Sequence, residues 1–115
     1  MKKNLSNFES QFKRSTIPLL VLEMLSKEDM YAYEIIQKTL QLSDGVYKMP
    51  LLYTSLNKLQ EQGYVIESRQ EISEDNRVRN YYAITEQGIS YLNELKILYK
   101  SLTNAVEKII SKEVT

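Results

Sequence analysis

The feature that most restricts how this chain can fold is an apolar stripe in its last quarter. Between Glu86 and Ser111, the residues Leu92, Leu95, Tyr99, Leu102, Val106 and Ile109 follow one another in steps of 3, 4, 3, 4 and 3. A mean spacing of 3.5 residues keeps one face of a helix continuously against another helix. Tyr91, Leu98 and Ala105 widen that face. A helix of this length extends about 39 Å. The chain has 115 residues, enough for one domain and too few for two. A core of that size cannot cover the whole rod. The chain's own first helix is expected to take part of the stripe, and the same helix or the N-terminal helix of a second copy the rest. The expected dimer interface is therefore Leu92, Leu95, Tyr99, Leu102, Val106 and Ile109.

Upstream, the pattern reads as helices followed by a hairpin. Leu5, Phe8 and Phe12 make a weak helical stripe, with Lys13 and Arg14 after it. Ile17, Leu20, Val21, Met24 and Leu25 then recur at helical spacing. Pro18 interrupts them. Either Ser15 or Thr16 caps a new helix with Pro18 in its first turn, or one longer helix is kinked there. Ser26 to Asp29 reads as a turn, with Asp29 as the next N-cap. A second helix is predicted from about Tyr31 to Leu40, with Tyr33, Ile36 and Leu40 inward. Ser43-Asp44-Gly45 stops it, with Gly45 free to turn left-handed. Val46 to Pro50 is a connector with room for one strand. The third helix, about Leu51 to Gln62, buries Leu52, Leu56 and Leu59 and ends on Gly63.

Tyr64–Arg69 and Val78–Ile84 then alternate as strands do, on either side of a polar turn at Ser73–Asn76. Val78, Asn80, Tyr82 and Ile84 share one side of the second strand, and Arg79, Tyr81 and Ala83 the other. One of the adjacent tyrosines thus belongs to the core, and its neighbour is free to touch a partner. Thr85 caps the final helix. The expected fold is mainly α with a small β-hairpin (α+β), in the order of a winged helix-turn-helix. Residues 1–84 form its head with an N-terminal helical arm, and residues 85–115 the dimerisation helix.

Composition narrows the chemistry. Cys and His are both absent, which excludes disulfides, thiolate and imidazole metal sites, and the usual triads. The remaining acid, amine and phenol groups form no pair at catalytic spacing, so no enzyme, metal or cofactor is expected. No apolar run reaches the roughly 18 residues of a membrane span, and no signal-peptide core follows the basic Met1–Lys3. A cytoplasmic protein is expected. Fifteen basic residues balance 15 acidic ones, so any polyanion must be recognised by local placement of charge.

Such placement exists. The face of the third helix opposite its leucines presents Pro50, Thr54, Asn57, Lys58 and Glu61. Thr and Asn suit base edges or phosphates, and Lys58 and the preceding Lys48 suit phosphates. Arg77 and Arg79 flank the hairpin tip, where they can lie along a backbone or in a minor groove. Lys13 and Arg14 are a weaker phosphate candidate.

Three segments resemble a known family, in order and with compatible spacing across about residues 16–88. Tyr31-Ala32-Tyr33-Glu34-Ile35-Ile36 is similar to the start of the second helix in PadR-type transcriptional regulators. Leu52-Tyr53-Thr54-Ser55-Leu56-Asn57-Lys58-Leu59 with Gly63 resembles their recognition helix. Arg79-Asn80-Tyr81-Tyr82-Ala83-Ile84-Thr85-Glu86-Gln87-Gly88 resembles their passage from wing to final helix. The single C-terminal helix resembles that of the short subgroup, which includes multidrug-sensing repressors. The resemblance implies a dimeric repressor on a near-palindromic DNA operator. It adds Tyr33 and Tyr53 to Thr54, Asn57, Lys58, Arg77 and Arg79 near the DNA. It also implies a flat aromatic effector between the final helices, where Tyr99 would stack. Ala32, Thr54 and Asn80 depart from the family pattern of Gly, Pro and a basic residue. A winged-helix module for protein contacts, without DNA, is the alternative that net neutrality and Glu61 favour.

Overall fold

The computed structural model describes residues 2–50 and 52–111, with side chains from Leu5 onward. Leu51, expected at the start of the third helix, and residues 112–115 lie outside the described residues. Four helices and a three-stranded antiparallel sheet make up the fold.

Helix α1 runs from Lys2 to Lys27 with Pro18 inside it. Of the two readings around Pro18, the longer helix is the one observed. Pro18 supplies no N–H to the Arg14 carbonyl. Ser15 and Thr16 are not N-caps but donate their hydroxyls back to Phe12 O, each at 2.9 Å. Such back-bonding competes with the backbone ladder and often goes with a bend in a helix. The Thr16 hydroxyl also meets Tyr47 OH at 2.6 Å, which ties this turn to the connector ahead of the third helix.

A two-residue strand β1, Met30–Tyr31, precedes helix α2, Ala32–Leu42. Alternation cannot announce so short a strand. The N-cap is Tyr31 rather than Asp29, and its N–H donates to the Glu34 carboxylate at 3.3 Å. Met30 is buried as a strand residue, and this sets the phase of the helix behind it. The buried residues are Ala32, Ile35 and Thr39, one position earlier than the expected Tyr33, Ile36 and Leu40. Tyr33 is 62% exposed.

The connector from Val46 to Pro50 contains no strand. Gly45 takes φ +84° and donates to Leu40 O at 2.8 Å. Met49 is buried and fixes where helix α3, Leu52–Glu61, begins. Leu52, Leu56 and Leu59 form its buried face. Gly63 ends it at φ +82°, and Tyr64 N–H closes back on Leu59 O at 2.9 Å.

Strands β2, Val65–Ile72, and β3, Val78–Ile84, form the hairpin, with β1 on the far edge of β3. The pairing is Val65 with Ile84, Arg69 with Tyr81, and Tyr31 with Tyr81, with an irregularity between Glu67 and Arg69. Asn76 turns the tip at φ +65°, a conformation that Asn tolerates better than most side chains.

Helix α4 spans Glu86–Ser111. The Thr85 hydroxyl accepts from Gly88 N–H at 3.0 Å and donates to Gly63 O at 2.7 Å. Leu92 is 3% exposed and serves the chain's own core, as does the half-buried Leu95. These two expected dimer residues are therefore covered already. Leu102, Val106 and Ile109 are 56%, 53% and 77% exposed. Glu23 of α1 lies 2.5 Å from Lys96 of α4 and 3.3 Å from Lys27, clamping the two helices where they cross.

Two predictions follow from this packing. A Cβ on Gly88 would sit 2.2 Å from Tyr64 O and 2.7 Å from Ile84 Cγ1. Gly88→Ala should lower the unfolding free energy by about 3 kcal/mol, and urea denaturation unchanged from wild type would refute the tight approach. Lys96, and secondarily Lys27, hold the Glu23 carboxyl below its ordinary 4.5 against the opposing effect of burial. A folded-state pKa below the unfolded one stabilises above pH 4.5 and is lost as pH falls through the folded value. Thermal denaturation of wild type and Glu23→Gln should therefore differ at pH 7 and converge near the acid end.

Candidate nucleic-acid interface

Because three leucines pin α3 to the core, its other face is committed to solvent. Tyr53, Thr54, Asn57, Lys58 and Glu61 are all exposed there. Among the described residues, no carboxylate lies within 4.0 Å of Lys58 Nζ. Lys48 and Pro50 stand exposed on either side of the buried Met49, just ahead of the helix.

Tyr33 at the start of α2 and Tyr53 at the start of α3 face the hairpin across a groove of about 520 Å³. Asp75, Arg77, Arg79 and Asn80 of the hairpin also line it, with Tyr31. Four of the expected residues, Tyr33, Tyr53, Arg77 and Arg79, thus converge on one concavity. Thr54, Asn57 and Lys58 continue along the exposed side of α3, and Lys48 and Pro50 lie outside the groove. Lys13 is placed elsewhere: it pairs with Glu9 at 2.5 Å and sits 5.7 Å from the Tyr47 ring centre.

The two wing arginines differ. Arg77 is 82% exposed, with Nε 3.3 Å from Asp75 Oδ2. The Ser73 hydroxyl, and beyond it the charges of Arg77 and Arg79, hold the Asp75 carboxyl below its usual range. The Arg79 guanidinium lies 4.6 Å from the centre of the Tyr31 ring, a cation–π contact that orients it.

Both tyrosines of the adjacent pair are buried, which corrects the expectation that one is free. Tyr82 belongs to the core. Tyr81, on the outer face of the sheet, is covered by the Tyr31 ring at 5.3 Å, edge-on, and by the Arg69 guanidinium at 3.9 Å. Burial pushes the Tyr81 hydroxyl pKa up. Tyr31, Arg69 and Asn80 are the site residues that the sequence did not reveal. Asn80 Oδ1 is buried with no hydrogen-bond partner among the described residues.

Tyr99 is 40% exposed and borders two apolar hollows, one of about 440 Å³ between α1 and α4 and one of about 400 Å³ lined by α1, by Thr39 and Leu42 of α2 and by Tyr47. Among the described residues no group of three or more acidic side chains is placed to hold a metal, and no helix is long and apolar enough to cross a membrane.

Residues 21–94 match the family described as "Transcriptional regulator PadR-like family". The chain belongs to that family. The span takes in all three segments whose resemblance the sequence carries. This PadR-like chain is 32% identical over 85 residues to the Escherichia coli transcriptional regulator YqjI, covering 72% of itself and 39% of that protein. It thus spans about two fifths of that relative's length. A PadR-like transcription factor from Bacteroides fragilis superposes with a TM-score of 0.70 at 30% identity, over 90% of this chain and 98% of that one. Bacillus subtilis PadR, solved in complex with operator DNA, shares the fold at a TM-score of 0.62 and 22% identity, over 71% of this chain and 48% of that one.

Proposed function

We propose that this PadR-like chain is a dimeric, sequence-specific DNA-binding repressor, relieved by a small planar aromatic effector at the dimer interface. The observation that carries the DNA reading is the convergence of Tyr33, Tyr53, Arg77 and Arg79 on one groove beside the exposed polar face of α3. Two tyrosines and two guanidinium groups suit a sugar-phosphate strand. The neighbouring Thr54, Asn57 and Lys58 suit base edges and phosphates. The fold shared with an operator-bound protein supports the same reading.

Dimerisation is supported by the outer half of α4. Leu98, Leu102, Val106, Ile109 and Ile110, on one side of the helix, are each more than half exposed, and exposed apolar patches mark interaction sites. Leu5 and Phe8 of α1 are 72% exposed as well. In a dimer, two α3 helices would enter successive major grooves about 34–36 Å apart, on half-sites roughly 10 bp apart. An effector beside Tyr99 would act through unequal affinity for the DNA-competent and incompetent arrangements. Repression itself rests on the resemblance to the short PadR subgroup.

A winged-helix module for protein contact is the second reading, favoured by zero net charge and by Asp75 partnering Arg77. Fluorescence anisotropy with the upstream region of the chain's own operon separates them, since the protein module leaves the DNA free. Lys58→Ala should weaken binding to all DNA and reduce the salt slope by about one unit; an unchanged slope would remove Lys58 from the phosphate contacts. Leu102→Glu should yield monomers in sedimentation and abolish operator binding while leaving the head folded. A wild-type monomer at micromolar concentration would refute the dimer.

A further inference from the structure

The outer face of the sheet holds a charge arrangement that the DNA reading does not account for. Register places Arg69 opposite Tyr81 and Glu71 opposite Arg79. A regular strand would put Glu67 and Arg69 on the same side, and Glu67 pairs with Tyr82, the core tyrosine. The extra residue Ser68 breaks that alternation, as bulges do. It carries Arg69 to the opposite face, onto the Tyr81 ring at 3.9 Å. There Arg69 Nε binds Glu71 at 2.9 Å, and its Nη1 reaches Asp29 at 3.4 Å. Glu71 is thereby held by Arg69, although Arg79 is its direct cross-strand neighbour. Among the described residues, Arg79 has no carboxylate within 4.0 Å. Its recorded partner is the Tyr31 ring at 4.6 Å.

Building on the DNA-binding reading above, we propose that Arg69 is a positioning residue: it holds Glu71 away from Arg79 and so keeps the Arg79 guanidinium on Tyr31, unpaired and turned to the groove, for a DNA phosphate. Opposite charges placed directly across an antiparallel pair attract one another. Without Arg69, Glu71 closes on Arg79 and cancels the charge that the groove presents. The two tyrosines complete the device. Tyr81 gives Arg69 a face to lie on, Tyr31 packs edge-on against Tyr81 at 5.3 Å, and Arg79 rests on Tyr31. Arg69 itself need not touch the nucleic acid.

The test is a rescue measured by anisotropy on an operator fragment across salt concentrations. Loss of one phosphate contact corresponds to about an eightfold weaker affinity at 0.1 M salt and a slope lower by about one. Arg69→Gln should show that loss. Arg69→Gln with Glu71→Gln should return to within about twofold of Glu71→Gln alone. In an Arg79→Gln background, Arg69→Gln should have no further effect. A loss that Glu71→Gln does not rescue, or that adds to Arg79→Gln, makes Arg69 a direct DNA contact and overturns the proposal. NMR of the free protein decides the arrangement without DNA. The Arg79 side-chain protons should carry a ring-current shift that disappears in Tyr31→Leu and in Arg69→Gln, and returns in the Arg69→Gln, Glu71→Gln double variant. Unshifted Arg79 protons in wild type overturn the proposal even if DNA binds. A wild type that binds no DNA while the shifts behave as stated overturns the DNA reading, leaving the pairing of Glu71 established.

Discussion

Thr85 Oγ1 donates to Gly63 O at 2.7 Å and accepts from Gly88 N–H at 3.0 Å, while Thr85 N–H donates to Tyr64 O at 3.0 Å. Three elements meet in this knot: the end of α3, the entry to β2 and the first turn of α4. The Tyr64 and Tyr91 rings stack against it at 4.3 Å. Its glycines have different reasons. Gly63 supplies a left-handed turn, and Gly88 lets two backbones come closer than any side chain permits. The direction in which the rod leaves the head is set here, within a few residues. Whatever spacing two heads adopt in a dimer depends on this junction as much as on the rods.

The parts of the fold that were legible share one property: their signal is longer than a turn. The leucines of α3, the alternation of β2 and β3 and the 3.5-residue stripe of α4 all follow from periods repeated several times, and Thr85 was legible as a cap because such a period starts just after it. What escaped was short or depended on phase. A two-residue strand has no period, yet β1 decides which face of α2 is buried. The Ser68 bulge is one residue, yet it turns Arg69 to the other side of the sheet and so covers Tyr81. In the stripe of α4, periodicity could not say where the core stops; the structure ends it at Leu95.

The candidate interface divides in the same way. Tyr33 and Tyr53 came from resemblance and Arg77 and Arg79 from charge at a hairpin tip, and the fold gathers all four. Tyr31 carries no sequence signal of its own, since it looks like an ordinary helix-start residue, and Asn80 stands out only as a departure from the basic residue of the family pattern. The chain's zero net charge conceals uneven pairing. Glu23, Asp75 and Glu71 are each bound to a specific cation, while among the described residues Lys58 and Arg79 have no carboxylate within 4.0 Å.

The smallest strand has a further consequence. β1 pairs with β3 only at Tyr81 and Tyr82, and the far side of β2 is an open edge. Open edges recruit strands from other molecules. Here the edge strand carries Glu67, Arg69 and Glu71, charges that an incoming strand would have to desolvate or match. Charged side chains along an outermost strand discourage that recruitment, so the sheet guards its own rim.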